Sequence, residues 1–506
     1  MIIHSIHIFK FCSFGSISVM KRMVSDLMSM SKDVAISKSH SGVQGDDGAS
    51  SLAIINRLER LPLLPFHTQL ILLLGSSLLL DGLDTLIISV ILTPIAITFH
   101  INPASAGILI AAGFAGQAIG ALIFGYFSER YGRKVPLVIA LIICGLLSIG
   151  AAIAPGFQLL LLMRLLQGIG LGACPPLATA LFNEYIPSRR RGTGGLLIQV
   201  FFSVGYILSP FLAILVFSFM GPTSGWRLLF MIGAFPVVLA PLVYFSIPES
   251  VRWLLLKQRQ DEAEKIVRGL ERDVPQSQQT AAVPDTSGTS TFASQQQTRL
   301  GELFSPRYRR RTLLIWVHWF ASFFVLVGFS SWLPSLYVNP GGLSQQQSLI
   351  LTLCFGIGTL STLAIYTVTA DRLGRKRWFI IGFTLALLGA AGGAVLLGPL
   401  HIVSWITLAT AGILMSLGAY VCVSGIYVYT SELYPTRMRS WALATGRSWS
   451  CIASIIAPIV IGILISRHLS ITFVFTMLGV ISLLGLLTMI VLGEETKLRR
   501  LEDIAY

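Results

Sequence analysis

Asp81 and Asp84 stand in the run LLLDGLDTLIIS (residues 78–89), inside a stretch from about Leu70 to Ile97 that is otherwise almost wholly apolar. Three residues apart on a helix, they share one face about a turn from each other. Two carboxylates that close, with little water, resist being ionised together, so at least one of them could hold a proton at neutral pH. A proton carrier needs that property, and acids inside membranes commonly mark ion or proton paths. Two structural roles stay open: Asp81 could cap a helix broken at Gly82, or both acids could partner a buried arginine.

Two arginines occupy comparable settings. Arg447 lies in ATGRSWSC (444–451), flanked by Gly446 and Ser448, small residues that leave room for a ligand. Its guanidinium stays charged and its fork matches a carboxylate in two parallel hydrogen bonds, which makes it a candidate for seizing an anionic substrate. Snorkelling to the nearby surface is the alternative. Arg164 opens RLLQGIGLG (164–172) and could pair with Asp81 or Asp84, either permanently or in exchange with substrate or proton. Gly168, Gly170 and Gly172, followed by Pro175 and Pro176, would let that helix bend and lie close against a neighbour. Gln117, Gln167 and Gln199 could bind substrate or join helices, Tyr206 and Tyr420 could line a cavity, and His318 could titrate or sit in the core.

The elements that carry these groups must cross a membrane. Of 506 residues, 54% are hydrophobic and only 12% charged, against roughly 25% charged in soluble domains. With about 20 apolar residues needed per crossing, twelve spans are predicted. Six lie near 70–97, 105–127, 136–154, 157–182, 193–218 and 226–247, and six near 312–334, 347–369, 378–398, 402–430, 441–465 and 471–493. If both termini face the cytoplasm, nearly all of the 37 Lys and Arg fall on that side; the other side holds Arg227 and Arg467, and Arg164 and Arg447 lie within spans. That asymmetry is the positive-inside signal. The net charge of +14 is therefore an orientation signal, and nucleic acid is not expected as a partner.

The expected class is all-α: a polytopic membrane protein with twelve transmembrane helices in two pseudo-symmetric six-helix bundles. The predicted division is a cytoplasmic, largely disordered N-terminal tail (1–64), a first bundle (65–248), a cytoplasmic central loop (249–310), a second bundle (311–494) and a short cytoplasmic C-terminal tail (495–506). Lys10 interrupts the weakly apolar start, so no signal peptide is predicted. Within the central loop, RQDEAEKIVRGLER (259–272) reads as an amphipathic helix, and the Ser/Gln/Thr-rich 276–298 as disordered. The six cysteines lack metal-ligand spacing and read as packing residues.

Two loop motifs occur twice. GYFSERYGRK (125–134) and TVTADRLGRK (367–376) align at an offset of 242 residues, and NEYIPSRRRG (183–192) and SELYPTRMRS (431–440) at 248. Glu129 or Asp371 is expected to cap a neighbouring helix N-terminus. Beside them Arg130 and Arg133, or Arg372 and Arg375, would pair with a carboxylate at the end of another helix, while Gly132 or Gly374 permits the turn. Glu184, Arg189, Glu432 and Arg437 in the second pair of loops complete this gating set.

Together with PESVRWLL (248–255), these loops resemble the major facilitator superfamily from about 65 to 495. More narrowly, DGLDT, GLGACPPLATALFNEYIPSRRRG (170–192), SWLPSLY (331–337) and ATGRSWSCIASIIAP (444–458) resemble the metabolite:proton symporters that include the aromatic-acid importers. Glu129 stands where that family usually has Asp, and CPP at 174–176 where many of its members have Met-Pro-Asn. The resemblance implies alternating access around a site between the halves, with Asp81 and Asp84 coupling protons and Arg447, Arg164, Gln167, Gln199 and Tyr420 binding substrate. The expected activity is proton-coupled import of a small organic acid, an aromatic carboxylate, with the proton as coupling ion and no other cofactor. A sugar or polyol:proton symporter is the alternative, and drug or metabolite efflux the next. No catalytic or metal-ligand cluster suggests an enzyme. The expected setting is a monomer in the bacterial inner membrane.

Overall fold

The computed structural model describes residues 46–62, 64–187, 191–274, 300–402 and 404–497. Among them the chain is helical without a strand, and twelve helices are long and apolar enough to cross a bilayer. In the first half the spans are Pro65–Phe99, Pro103–Tyr131, Lys134–Ala152, Phe157–Tyr185, Gln199–Met220 and Pro222–Ser246. In the second they are Arg309–Val338, Gln345–Ala370, Arg375–Leu397, Trp405–Leu433, Trp441–Ser466 and Ile471–Leu492. Each falls on a predicted stretch to within a few residues.

Local chemistry sets the turns. Pro103 starts the second span where its missing N–H is not needed, and Asn102 Oδ1 accepts from the Ser105 N–H at 2.8 Å. Ser344 and Ser404 form capping boxes with Gln347 and Thr407 at the starts of the eighth and tenth spans. The sixth span departs from the continuous stretch expected: it is two helices, Pro222–Ile232 and Pro236–Ser246, joined by a turn. Pro236 has no N–H to return to the preceding turn, and the Ser148 hydroxyl donates to the Phe230 carbonyl at 2.7 Å.

Glycines bring the helices of the first half together. A Cβ at Gly116, Gly120, Gly168 or Gly172 would run into the backbone carbonyl of Leu165, Ile169, Gly113 or Gln117. The predicted close neighbour of the glycine run is thus the second span at Gly168 and Gly172, and the third at Gly170, which rests on the Ala140 carbonyl. Gly82 and Gly205 seat the first span on the fifth in the same way, against the carbonyls of Phe202 and Leu79.

The two halves meet at the end away from the arginine-rich loops. There a Cβ on Gly107 would strike the Pro458 carbonyl and one on Gly462 the Pro103 carbonyl. Thr93 Oγ1 and Ser335 Oγ are 3.0 Å apart, and the Tyr206 and Phe355 rings meet edge to face. Accordingly the first span is buried all round from Leu86 to Leu92, and the seventh from Val327 to Pro334. At the arginine-rich end the second span is bare: between residues 122 and 127 only Phe124 is buried, and Leu122 is 75% exposed. Ile365 and Val368 of the eighth span are exposed at the same level. A cleft between the halves therefore opens toward the arginine-rich loops.

Within the tail expected to be largely disordered, one segment is ordered. Asp46–Arg60 is a helix. Ile54, Leu58, Leu61 and Leu64 bury in one cluster with Val251, Trp253 and Leu254 and with Ala263, Val267 and Leu270 of the amphipathic helix Gln260–Arg272. Arg57 pairs with Glu264 at 2.7 Å and with Glu271 at 2.5 Å, and Arg252 with Glu59 at 2.6 Å. The apolar i, i+4 stripe at 54 and 58 carries that helix onto the first half. Residues 276–298, expected to be disordered, lie outside the described residues.

Candidate functional site

The first span runs unbroken through Gly82, so Asp81 caps no helix end. Asp84 faces the fourth span. Arg164 Nη1 donates to Asp84 Oδ1 and Oδ2 at 2.9 and 3.0 Å and to Gln167 Oε1 at 2.9 Å. Gln167 Nε2 donates to Asp84 Oδ1 at 3.0 Å, closing a triangle of three buried side chains. The Phe230 ring lies 5.7 Å from the guanidinium carbon, and Gly113 leaves the space that Arg164 occupies. Arg164 and Gln167, expected to bind substrate, both hydrogen-bond Asp84 inside one half. Among the alternatives open for Arg164, the partner is Asp84.

Asp81, a turn earlier, has no such partner. It is buried, and its Oδ1 accepts no hydrogen bond among the described residues. It lies within electrostatic range of Asp84 on its own helix and of Arg447 in the other half. The Cys174 thiol of the CPP run is also within its range.

On the opposite wall Arg447 is partly exposed to the cleft. Its Nη1 donates to the Tyr427 hydroxyl at 3.2 Å, and its guanidinium carbon is 5.6 Å from the centre of the Phe323 ring. Deeper in, Tyr420 Oη is 3.2 Å from Ser203 Oγ of the first half and also hydrogen-bonds Gln199. Asp81 and Arg447 therefore set a carboxyl group and a guanidinium on the two walls, above a floor where hydroxyls join the halves. His318, open in the sequence between titrating and core roles, packs with 0% exposure between the edges of Phe379 and Phe383.

At the arginine-rich end of the first half the capping acid is not the one expected. Glu129 and Arg130 are exposed, and the N-terminus of the third span is capped instead by Glu249. Glu249 Oε1 accepts from the N–H groups of Arg133 (2.8 Å), Lys134 (3.2 Å) and Ser250 (2.9 Å). Burial pushes the Glu249 carboxyl up from its ordinary value, against these N–H groups, which pull it down. In the second half Glu495 Oε1 accepts from Arg375 N–H at 2.9 Å. The reason is the turn: Gly132 and Gly374 have φ of 97° and 93°, and a Cβ there would collide with the carboxylates of Glu249 and Glu495. Arg133 Nε lies 3.4 Å from Glu184 and Arg375 Nη2 3.1 Å from Glu432. These pairs join helices of one half rather than bridging the two. Arg372 is exposed, and its carbonyl accepts from Lys497 Nζ at 2.6 Å. Arg189 and the side chains of Asp371 and Arg437 lie outside the described residues.

The model of the sugar (and other) transporter family matches residues 69–506. The chain belongs to that family. This transporter is 34% identical over 464 residues to the niacin transporter NiaP of Acinetobacter baylyi, covering 89% of its own length and 99% of the relative. It is 30% identical over 405 residues to the 4-hydroxybenzoate transporter PcaK of the same species, covering 79% and 85%. Among solved structures it shares its fold with the xylose transporter XylE of E. coli in an inward-open conformation. The TM-score is 0.65 at 21% identity, covering 87% of the transporter and 99% of that chain.

Several residues that shape the transporter's site escaped the sequence reading: Glu249, Glu495, Tyr427, Phe323 and Ser203. Two were within reach. Glu249 and Glu495 each follow the last span of a half, 246 residues apart, close to the offsets of the loop motifs. No local pattern separates Tyr427 from the many other aromatic residues.

Proposed function

We propose that this transporter imports a small aromatic carboxylate together with a proton by alternating access, acting as a single chain in the inner membrane with both termini cytoplasmic. The observation that carries this reading is that Asp81, which lacks a hydrogen-bond partner at Oδ1, lies within electrostatic range of Arg447 in the other half, which is partly exposed. The substrates named for its relatives support the class of cargo. With the arginine-rich loops cytoplasmic by the positive-inside rule, the cleft faces inward.

Charge compensation then gives the coupling. An empty site can close because Asp81 and Arg447 neutralise each other. A site holding both substrate and proton can also close, since the substrate carboxylate neutralises Arg447 and the proton neutralises Asp81. A site holding only one of the two would bury an uncompensated charge, which costs several kcal/mol. Asp84, already satisfied by Arg164, keeps its charge throughout.

The test is uptake of labelled nicotinate, benzoate, 4-hydroxybenzoate, quinate and hexoses into proteoliposomes with and without an inward-directed proton gradient. Accumulation of aromatic acids that collapses with the gradient is the expected result. Accumulation of hexoses with every acid ignored would replace this reading with sugar symport.

A further inference from the structure

Arg447 stands on the eleventh span, where a long side chain could lie along the wall or reach for the arginine-rich end. It does neither. The Tyr427 hydroxyl holds one edge of the guanidinium at 3.2 Å, and Phe323 lies beneath it. Trp319 fixes both of these rings: it stacks on Phe323 at 5.7 Å with planes 10° apart, and meets Tyr427 edge to face at 4.6 Å. Trp319 is itself buried, and its indole N–H donates to Thr430 Oγ1 at 3.1 Å. Gly446 completes the arrangement, since a Cβ there would press on the Trp319 indole. The glycine beside the arginine thus makes room for the tryptophan that anchors the arginine's supports.

Resting on the aromatic-acid reading above, we propose that Tyr427 is a positioning residue for substrate affinity. Its hydroxyl, steadied by Trp319, aims Arg447 into the cleft before a ligand arrives, so that the guanidinium's remaining donors meet the substrate carboxylate without reorganising. Preorganisation of this kind lowers the cost of binding and leaves the later steps untouched. Tyr427 is 46% exposed, and its hydroxyl bonds only to Arg447 among the hydrogen bonds described, so removing that oxygen has little to disturb in the fold.

The experiment compares purified wild type with Tyr427→Phe and Trp319→Phe. It measures nicotinate and benzoate binding by equilibrium dialysis, KM and maximal rate of uptake in proteoliposomes, and thermal unfolding. Tyr427→Phe should weaken binding and raise KM by about five- to tenfold, the net effect of one ordinary hydrogen bond, with maximal rate and unfolding midpoint unchanged. Trp319→Phe should shift KM in the same direction. Unchanged affinity in Tyr427→Phe, or a fall in affinity matched by a fall in unfolding midpoint, overturns the proposal while the aromatic-acid reading stands. Failure of the wild type to bind either acid overturns both.

Discussion

Arg164 donates to both carboxylate oxygens of Asp84, at 2.9 and 3.0 Å, and the pair is sealed within the first half of the molecule. Removing either partner would leave a charge stranded in an apolar interior. Arg164→Ala should destabilise the transporter by about 3–5 kcal/mol, and Asp84→Asn in the same direction. The double variant Asp84→Leu/Arg164→Leu should recover much of that loss. Thermal unfolding in detergent measures all three; a double variant no better than Arg164→Ala would mean that the pair is not what stabilises the site.

Asp81 is the contrasting case, because no hydrogen bond has to be broken at its Oδ1. Asp81→Asn mimics the protonated acid permanently. It should fold as the wild type does, exchange substrate across the membrane, and fail to accumulate it against a gradient. Counterflow and concentrative uptake in the same vesicles separate the two; concentrative uptake at the wild-type level would remove Asp81 from the coupling step.

One anionic carboxylate moving with one proton carries no net charge. Uptake should then respond to a pH gradient, worth about 1.4 kcal/mol per pH unit, and not to a potassium-diffusion potential set with valinomycin. A clear acceleration by inside-negative potential at equal pH would require a second proton.

Glu249 offers a pH test away from the cleft. Its raised carboxyl pKa means that the folded protein holds this proton more tightly than the unfolded chain does. Its contribution to stability is therefore fullest below the ordinary glutamate value and is lost as pH rises through the raised one. The unfolding midpoint of wild type minus that of Glu249→Gln should fall as pH rises above the ordinary glutamate value and level off once the folded carboxyl is ionised. A difference that climbs with pH would contradict burial as the dominant influence.

Gly107 packs against the Pro458 carbonyl where the halves touch. A tryptophan there would hold the far side open. Uptake should drop by an order of magnitude or more, and a membrane-impermeant maleimide added outside should label Ser335→Cys faster in the Gly107→Trp background. Equal labelling would mean that the contact does not seal that face.

The spans were legible because membrane crossing demands long apolar runs, and the repeat because Gly132 and Gly374 have to turn the chain the same way in both halves. Arg164, Asp81 and Asp84 stood out as charges in such runs. Which acid Arg164 takes depends on how the first span is rotated against the fourth, and glycine contacts between helices decide that. Likewise the short motif around Glu129 suggested a cap, but the capping acid arrives from 116 positions further along, as the bond from Arg133 to Glu249 records. Ile54 and Leu58 carried a helical stripe in a tail read as largely disordered; the partner that makes the helix worthwhile lies in the central loop.

The ion pairs of Arg133, Arg164 and Arg375 each join two positions of the same half, whereas the seam at the closed end consists of hydroxyl pairs such as Thr93 with Ser335 and glycines resting on carbonyls. Each hydroxyl pair contributes only about 1 kcal/mol, and neither kind of contact is screened by ions. Raising the ionic strength should accordingly leave the turnover number almost flat, a behaviour that sets this carrier apart from one whose gate is closed by salt bridges.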